Sequence, residues 1–251
     1  MQTLFEDKII TKLAEFARSI NKKIYVVGGA VRDALTNRQV LGIKDIDLTG
    51  NLTYEEVKSF LITQNICYEV KNRKLEVIAF NIGNNSYEYA RMRKEEYLPN
   101  DTHTPTKVSF VDEITEDAKR RDFTVNSVYY DRHSNRLFDP VGGIKDIEAK
   151  SIRPVLGEET LKVDPARIIR FIELKARHDF EVSDEVYDWV KKYAKDIFKL
   201  TDIRLNKEVD RLMKTGKYQG EDENYIARVK EIIIDLNLQN VLKKIKNCIN
   251  I

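Results

Sequence analysis

The chain has 251 residues, 42% of them hydrophobic and 33% charged, and a formal net charge of only +2. This balance excludes a protein whose whole surface is basic, so any RNA-binding surface must be a local patch. Cys67 and Cys248 have no metal-binding spacing and fit a reducing compartment. Because the sequence has no run of 18 apolar residues and no leader-like start, we expect a soluble, cytoplasmic protein without a membrane partner.

The first half of the chain alternates helical and strand patterns. Apolar residues at helical spacing predict a helix within residues 4–20, and Thr53 and Glu56 form a capping box that starts a later helix. A further short helix is expected at Ala30–Leu35. Strands are predicted at Ile24–Val27, Asp45–Thr49, Ile66–Val70, Lys74–Phe80 and Ser86–Met92. A polar stretch with two prolines, Lys94–Pro105, is expected to be a loop.

The pattern changes after the middle of the chain. A helix is expected at Glu116–Ser127, followed by a hairpin of Tyr129–Tyr130 with Leu137–Phe138 and a short helix after Gly143. From Glu158 onward only helical patterns remain. We therefore predict an α+β fold with a mixed-sheet domain over residues 1–153 and an all-helical domain over residues 154–251.

A glycine pair follows the first predicted strand and precedes a helix that carries an arginine. Without Cβ atoms, Gly28 and Gly29 allow the backbone to approach a phosphate and to direct N–H groups at it. Arg32 adds a planar fork of donors that suits phosphate oxygens. Most glycine pairs simply mark turns, so this pair indicates a phosphate-binding site only in combination with the carboxylates that follow.

Asp45 and Asp47 alternate on a predicted strand and therefore project from the same face. Paired carboxylates beside a phosphate site predict Mg²⁺, which prefers oxygen ligands and shares them with substrate phosphates. Glu88 could supply a third carboxylate or lie on an exposed strand face, and spacing alone favours the exposed face. Arg93 could contact phosphate or solvent.

Two later clusters carry dense hydrogen-bonding groups. The stretch Arg120–Asn126 contains Arg121, Asp122 and Asn126 beside apolar residues, which suits a ribose and triphosphate or, equally, a salt-bridged helix surface. Asp164 and Arg167 lie three residues apart on one helical face, where they could bind a base edge or form an ion pair.

These clusters, in this order, resemble the class II tRNA nucleotidyltransferases (CCA-adding enzymes) and the bacterial-type poly(A) polymerases. The segment Gly28–Asp33 with Asp45–Asp47 resembles the family's nucleotidyltransferase signature. Arg120–Ser127 is similar to its ribose and triphosphate motif, and Asp164–Phe171 to its base-selecting helix. The resemblance implies a polymerase-β-like nucleotidyltransferase head followed by a helical neck and a partial body.

The resemblance also implies roles. Asp45 and Asp47 would hold two Mg²⁺ ions, with Glu88 as a nearby third catalytic carboxylate. The nucleotide would be bound by the glycine pair, by Asp122 at its ribose and by further polar side chains: Arg32, Arg93, Arg121, Asn126, Asp164, Arg167 and Arg170. The implied reaction transfers nucleotides from CTP and ATP to an RNA 3′ end, most simply that of tRNA, without a template.

Other functions stay open from the sequence. A poly(A)-type or single-nucleotide-specific transferase acting on another RNA would use the same motifs. A non-catalytic nucleotide- or RNA-binding regulator is a second class, and a transferase acting on a protein or small molecule is a third. Val163 stands where the family usually has a glutamate before Asp164, so we expect Arg167 to be held less firmly than in its relatives.

Overall fold

A computed structural model describes residues 6–36, 45–97, 105–178, 180–217 and 222–241. The chain divides into two compact units. The first comprises Met1–Glu95 with Val108–Glu148, and the second comprises Glu96–Lys107 with Ala149–Ile251. Strands and helices are mixed in the first part of the chain, and helices follow. This arrangement confirms the predicted α+β class. The predicted boundary at residues 153 and 154 stays a prediction.

The helices and strands of the first half follow one another closely. The helices are α1 (Lys8–Ser19), α2 (Gly29–Leu35), α3 (Tyr54–Thr63), α4 (Ile114–Lys119) and α5 (Gly143–Glu148). The strands are β1 (Ile24–Val27), β2 (Asp45–Gly50), β3 (Tyr68–Asn72), β4 (Val77–Ile82), β5 (Asn85–Arg91), β6 (Arg93–Glu96), β7 (Lys107–Phe110), β8 (Tyr129–Asp131) and β9 (Arg136–Phe138).

A seven-stranded sheet in the order β3-β4-β5-β2-β1-β8-β9 forms the centre of the first unit. Strands β2 and β5 are parallel, whereas the other neighbours are antiparallel, which makes the sheet mixed. All four residues of β1 are buried. The two central strands β1 and β2 approach closely at Gly50, because a Cβ atom there would lie 2.3 Å from the carbonyl oxygen of Lys23.

Local side-chain caps define where the first helices begin. Asp7 Oδ1 accepts hydrogen bonds from the backbone N–H groups of Ile9 and Ile10 and so starts α1. The predicted capping box of Thr53 and Glu56 is present at the start of α3. The predicted start of α3 is confirmed.

The helix predicted at Glu116–Ser127 is wrong. Helix α4 ends at Lys119, and a 3₁₀ turn follows only at Thr124–Asn126. Asp122 interrupts the helix because its side chain accepts from the N–H of Phe123, a local bond that competes with helical pairing. Phe123 is extended and completely buried, so the core takes this aromatic ring at the expense of a continuous helix.

Other boundaries also differ from the prediction. The fourth strand starts at Val77 and not at Lys74, because Asn72 Oδ1 accepts from the N–H of Leu75 and turns the chain. The loop predicted at Lys94–Pro105 begins later, since strand β6 continues to Glu96 and pairs with β7. Residues 98–104 of that predicted loop lie outside the described part of the chain.

The second unit contains helices α6 (Glu158–Val163), α7 (Ala166–His178), α8 (Asp184–Tyr193), α9 (Asp202–Lys217) and α10 (Asp222–Asp235). Helix α7 contacts α9 and α10, and its carbonyl at Ala176 accepts from Arg228 Nε at 2.6 Å. Among the helices described, none has the length and apolar composition needed to span a membrane.

Candidate active site

The glycine turn between β1 and α2 is the first part of the site. Gly28 has φ +81° and ψ −147°, a conformation that an L side chain rarely adopts. A Cβ atom built on Gly28 would lie 2.8 Å from Asp47 Oδ2, and one on Gly29 would lie 3.4 Å from Arg32 Nη2. The missing side chains therefore allow a carboxylate and a guanidinium to approach the same turn.

The carboxylates lie where strand register predicts them. In β2, Asp45 and Asp47 are exposed while Ile46 and Leu48 are buried, so both carboxylates occupy one face. Asp47 pairs with Val27 on one side and with Glu88 on the other. Partners directly across adjacent strands share a face, so Glu88 lies beside Asp47, and Glu88 is also exposed.

The strand carboxylates are candidate ligands for a metal ion. Within the described residues, no group of three or more His, Cys, Asp or Glu side chains is placed to hold a metal ion. Two aspartates on one face still fit Mg²⁺, because this ion usually takes one or two carboxylates and completes its shell with water and substrate phosphates.

Arg32 connects the glycine turn to the Arg120–Asn126 stretch. Its guanidinium is buried and donates to Asp33 Oδ1 through Nε and Nη2, at 3.0 and 2.8 Å. Its Nη1 donates to Asn126 Oδ1 at 2.5 Å, and Asn126 Nδ2 donates to Asp122 Oδ1 at 3.2 Å. Two motifs that are 94 residues apart are therefore joined by side chains.

The arginines of the second motif converge on a residue that the sequence analysis did not select. Asp117 is completely buried and accepts from Arg120 Nε, from Arg121 Nη2, from Tyr129 Oη and from the backbone N–H of Arg93. Burial alone would raise the pKa of Asp117, but the two guanidinium groups and the hydrogen bonds hold that pKa well below its usual range.

Arg93 is a buried cation in the same unit. Its Nε donates to Glu95 Oε1 at 2.7 Å, while its Nη1 is buried and has no hydrogen-bond partner among the described residues. Burial and the nearby charge of Arg120 lower the pKa of Arg93. An incompletely satisfied buried guanidinium fits an anionic ligand.

In the second unit, Asp164 lies between α6 and α7. Its Oδ1 accepts from the N–H of Ala166 at 3.0 Å and caps α7. Arg167 is buried, and its Nη1 donates to the carbonyl oxygen of Thr160 at 3.0 Å. A backbone acceptor thus binds Arg167 although position 163 is not a glutamate, and the expectation that Arg167 is held less firmly than in its relatives stays a prediction. Arg170, one turn later, is half-buried.

Comparison with known proteins identifies the family. Residues 24–153 match the family described as the poly A polymerase head domain. The chain belongs to this family. The matched segment includes the glycine turn, the three strand carboxylates and the Arg120–Asn126 stretch, so the site of the first unit lies within the shared region.

Relatives of this family support the same assignment. The CCA-adding enzyme of Staphylococcus aureus (strain MRSA252) is 33% identical over 249 residues, which cover 93% of this chain and 60% of the relative. The chain thus spans about 60% of the length of that curated relative. The resemblance drawn from the sequence is confirmed.

Solved structures share the fold. The Bacillus stearothermophilus CCA-adding enzyme in complex with CTP has a TM-score of 0.67 at 23% identity, covering 82% of this chain and 49% of that one. A tRNA nucleotidyltransferase complexed with a primer tRNA and an incoming ATP analogue has a TM-score of 0.65 at 24% identity, covering 92% and 61%.

The structure brings some of the selected residues together within the first unit and leaves others in separate surroundings. Gly28, Gly29, Arg32 and Asp47 lie at one turn, and Glu88 is across from Asp47. Arg121 instead binds Asp117 and Tyr129. The spacing of Asp117 to the two following arginines, three and four residues, was the signal available in the sequence.

Proposed function

We propose that this chain is a nucleotidyltransferase that adds nucleotides from CTP and ATP to an RNA 3′ end, most simply that of tRNA, without a template. The observation that carries the proposal is the approach of the Asp47 carboxylate to the Gly28 turn. A carboxylate directly beside a glycine turn supports joint binding of a metal ion and a triphosphate.

The carboxylate face has a defined role in this proposal. Nucleotidyltransferases generally use divalent metal ions, and we assign Mg²⁺ to Asp45 and Asp47, with Glu88 as the neighbouring catalytic carboxylate. Bound there, two ions would activate the RNA 3′-hydroxyl and stabilise the pyrophosphate leaving group. The protein's own contribution is a rigid strand pair that keeps the carboxylates on one face.

The remaining residues would bind the nucleotide. The backbone of Gly28 and Gly29 and the guanidinium of Arg32 suit the triphosphate, because Asp33 and Asn126 orient Arg32. We assign Asp122 to the ribose, and Arg93 and Arg121 to phosphate oxygens. The pairing of Arg121 with Asp117 leaves it oriented and not freely mobile.

Base choice would lie in the second unit. We assign Asp164 and Arg167 to the edge of the incoming base, with Arg170 as a further nucleotide contact. An acceptor and a planar donor group at the two ends of one turn suit cytosine and adenine edges. In the proposed division, residues 1–153 form the catalytic domain and residues 154–251 recognise the base and the RNA.

The relatives support CTP, ATP and tRNA as partners, since two solved structures are described as complexes with CTP and with a primer tRNA and an ATP analogue. The direct test incubates the chain with Mg²⁺, each labelled nucleoside triphosphate and total RNA, and then sequences the extended 3′ ends. Extension of tRNA by C and A supports the proposal. Tails of A alone on other RNAs would favour a poly(A)-type activity, and binding without extension would favour a regulator.

A further inference from the structure

Helix α6 is short and ends just before α7, the helix that carries Arg167. It spans Glu158–Val163, and Asp164 follows in an extended conformation, with φ −141° and ψ 101°. The last carbonyl groups of any α-helix lack partners within the helix and must bond elsewhere. One of them, at Thr160, accepts from Arg167 Nη1.

The position of Arg167 at this helix end is favourable for two reasons. The carbonyl oxygen of Thr160 receives a donor that it would otherwise lack, and the negative end of the α6 dipole favours a cation. Both residues are buried, so little water competes for this bond. Arg167 is further constrained because its backbone N–H donates to the carbonyl of Asp164 at 3.0 Å.

Helix α6 is itself fixed at its start. Gly157 has φ +59° and ψ −140°, which favours glycine strongly, and the N–H of Leu156 donates to Thr160 Oγ1 at 2.7 Å. Glu158 Oε1 accepts from Lys192 Nζ at 2.6 Å and from Tyr193 Oη at 2.9 Å, both on α8. The turn at Gly157 therefore sets where the Thr160 carbonyl lies.

We propose that Gly157 and Thr160 are positioning residues for base selection: the main-chain carbonyl of Thr160, placed by the Gly157 turn, orients the Arg167 guanidinium toward the incoming base. This inference rests on the proposed function of Arg167 and adds the element that holds it. Because this acceptor belongs to the backbone, it is present whichever side chain stands at position 163.

Two substitutions near Arg167 should differ in their effects. Gly157→Ala strains the turn without a steric clash, since the nearest atom to the added methyl group is a Trp189 ring carbon at 3.7 Å. Val163→Glu adds a carboxylate directly before Asp164 but leaves the Thr160 carbonyl in place. Gly83→Ala is the matched control, because Gly83 also has a positive φ, +57°, and open space around it.

The first measurement is the ratio of kcat/KM for CTP to that for ATP on one tRNA 3′ end. Gly157→Ala should reduce whichever preference the parent chain has by about tenfold, because hydrogen-bonding groups discriminate only when they are correctly placed. Gly83→Ala and Val163→Glu should each change the ratio by less than about twofold. An unchanged ratio in Gly157→Ala, or a large change in Val163→Glu, would overturn the inference.

A second measurement does not depend on activity. In the ¹⁵N NMR spectrum, a guanidinium held by a buried acceptor rotates slowly and gives separate Nη signals, which Arg167→Lys identifies by their loss. These signals should persist in the parent chain, Gly83→Ala and Val163→Glu and merge in Gly157→Ala. Merged signals in the parent chain would refute the anchor, whereas separate signals in a chain that transfers no nucleotide would refute only the proposed reaction. If Gly157→Ala does not fold, Glu158→Gln replaces it in both measurements. Glu158→Gln loosens α6 from α8, so we expect it to change the kcat/KM ratio and the Nη signals in the same direction.

Discussion

Asp47 and Gly28 lie so close that the carboxylate oxygen Oδ2 of Asp47 would be only 2.8 Å from a methyl group at Gly28. This contact joins the end of strand β1 to the middle of strand β2 and places a carboxylate at the turn before α2. The contact is one reason why this position needs glycine. A second reason is that the backbone of Gly28 has a positive φ of +81°.

Gly28→Ala should therefore reduce nucleotide transfer by at least a hundredfold, because the new methyl group displaces the Asp47 carboxylate and about 1–3 kcal/mol of backbone strain is added. Steady-state kinetics and urea unfolding measure the two effects separately. Gly83→Ala, where φ is also positive (+57°) and nothing lies within 4 Å of the added methyl group, should lose stability without a comparable loss of rate. Equal losses of rate in both variants would show that strain alone matters.

Asp45→Asn and Asp47→Asn should each lower kcat by about a thousandfold, since several kcal/mol of charge stabilisation would be lost with a metal ligand. Both side chains are exposed, so the free energy of unfolding should change by less than about 0.5 kcal/mol. Glu69→Gln, an exposed carboxylate on β3 of the same sheet, is the control. Its rate should equal that of the parent chain, and a similar fall would point to general electrostatics.

Arg32→Lys should raise KM for the nucleotide by about tenfold, because a lysine cannot donate to Asp33, Asn126 and a phosphate in one plane. Asn126→Ala should produce part of the same effect. If Asn126 acts by orienting Arg32, the double variant should be no worse than Arg32→Lys alone. Additive losses of kcat/KM would instead mean that the two residues act independently.

Asp117→Asn should destabilise the chain by about 3–5 kcal/mol at pH 7, because it leaves buried guanidinium groups without their charged partner. The pKa of Asp117 is depressed by folding, so its stabilising effect is present above the ordinary aspartate pKa and is lost as the pH falls below about 4. Urea unfolding at several pH values should give a constant difference between parent and variant from pH 7 to 5 and a smaller one at pH 3. A difference that grows on acidification would contradict this assignment.

Short, local signals were predicted well from the sequence. Strand alternation placed Asp45 and Asp47 on one face, and the Thr53 capping box marked a helix start, because each depends on neighbours within a few residues. The helix expected through Phe123 was wrong because burial of that ring in the core outweighed local helical spacing. Tertiary contacts decide such cases, and periodicity alone does not contain them.

The sequence suggests which residues to consider for the candidate site but not how their side chains are connected. Nothing in the spacing shows that Asn126 binds Arg32 or that Thr160 binds Arg167, since these bonds depend on how separate elements pack. For Arg167, an acceptor turns out to be the main-chain carbonyl of Thr160, which the side chains around position 163 do not indicate.

The most direct test of the central proposal uses a tRNA transcript that lacks its 3′-CCA, with Mg²⁺, CTP and ATP, and follows single-nucleotide extension on a sequencing gel. We expect extension by the parent chain and by Glu69→Gln, and none by the double variant Asp45→Asn/Asp47→Asn. Extension by the double variant at the parental rate, or no extension by a folded parent chain that binds CTP, would contradict the proposed function.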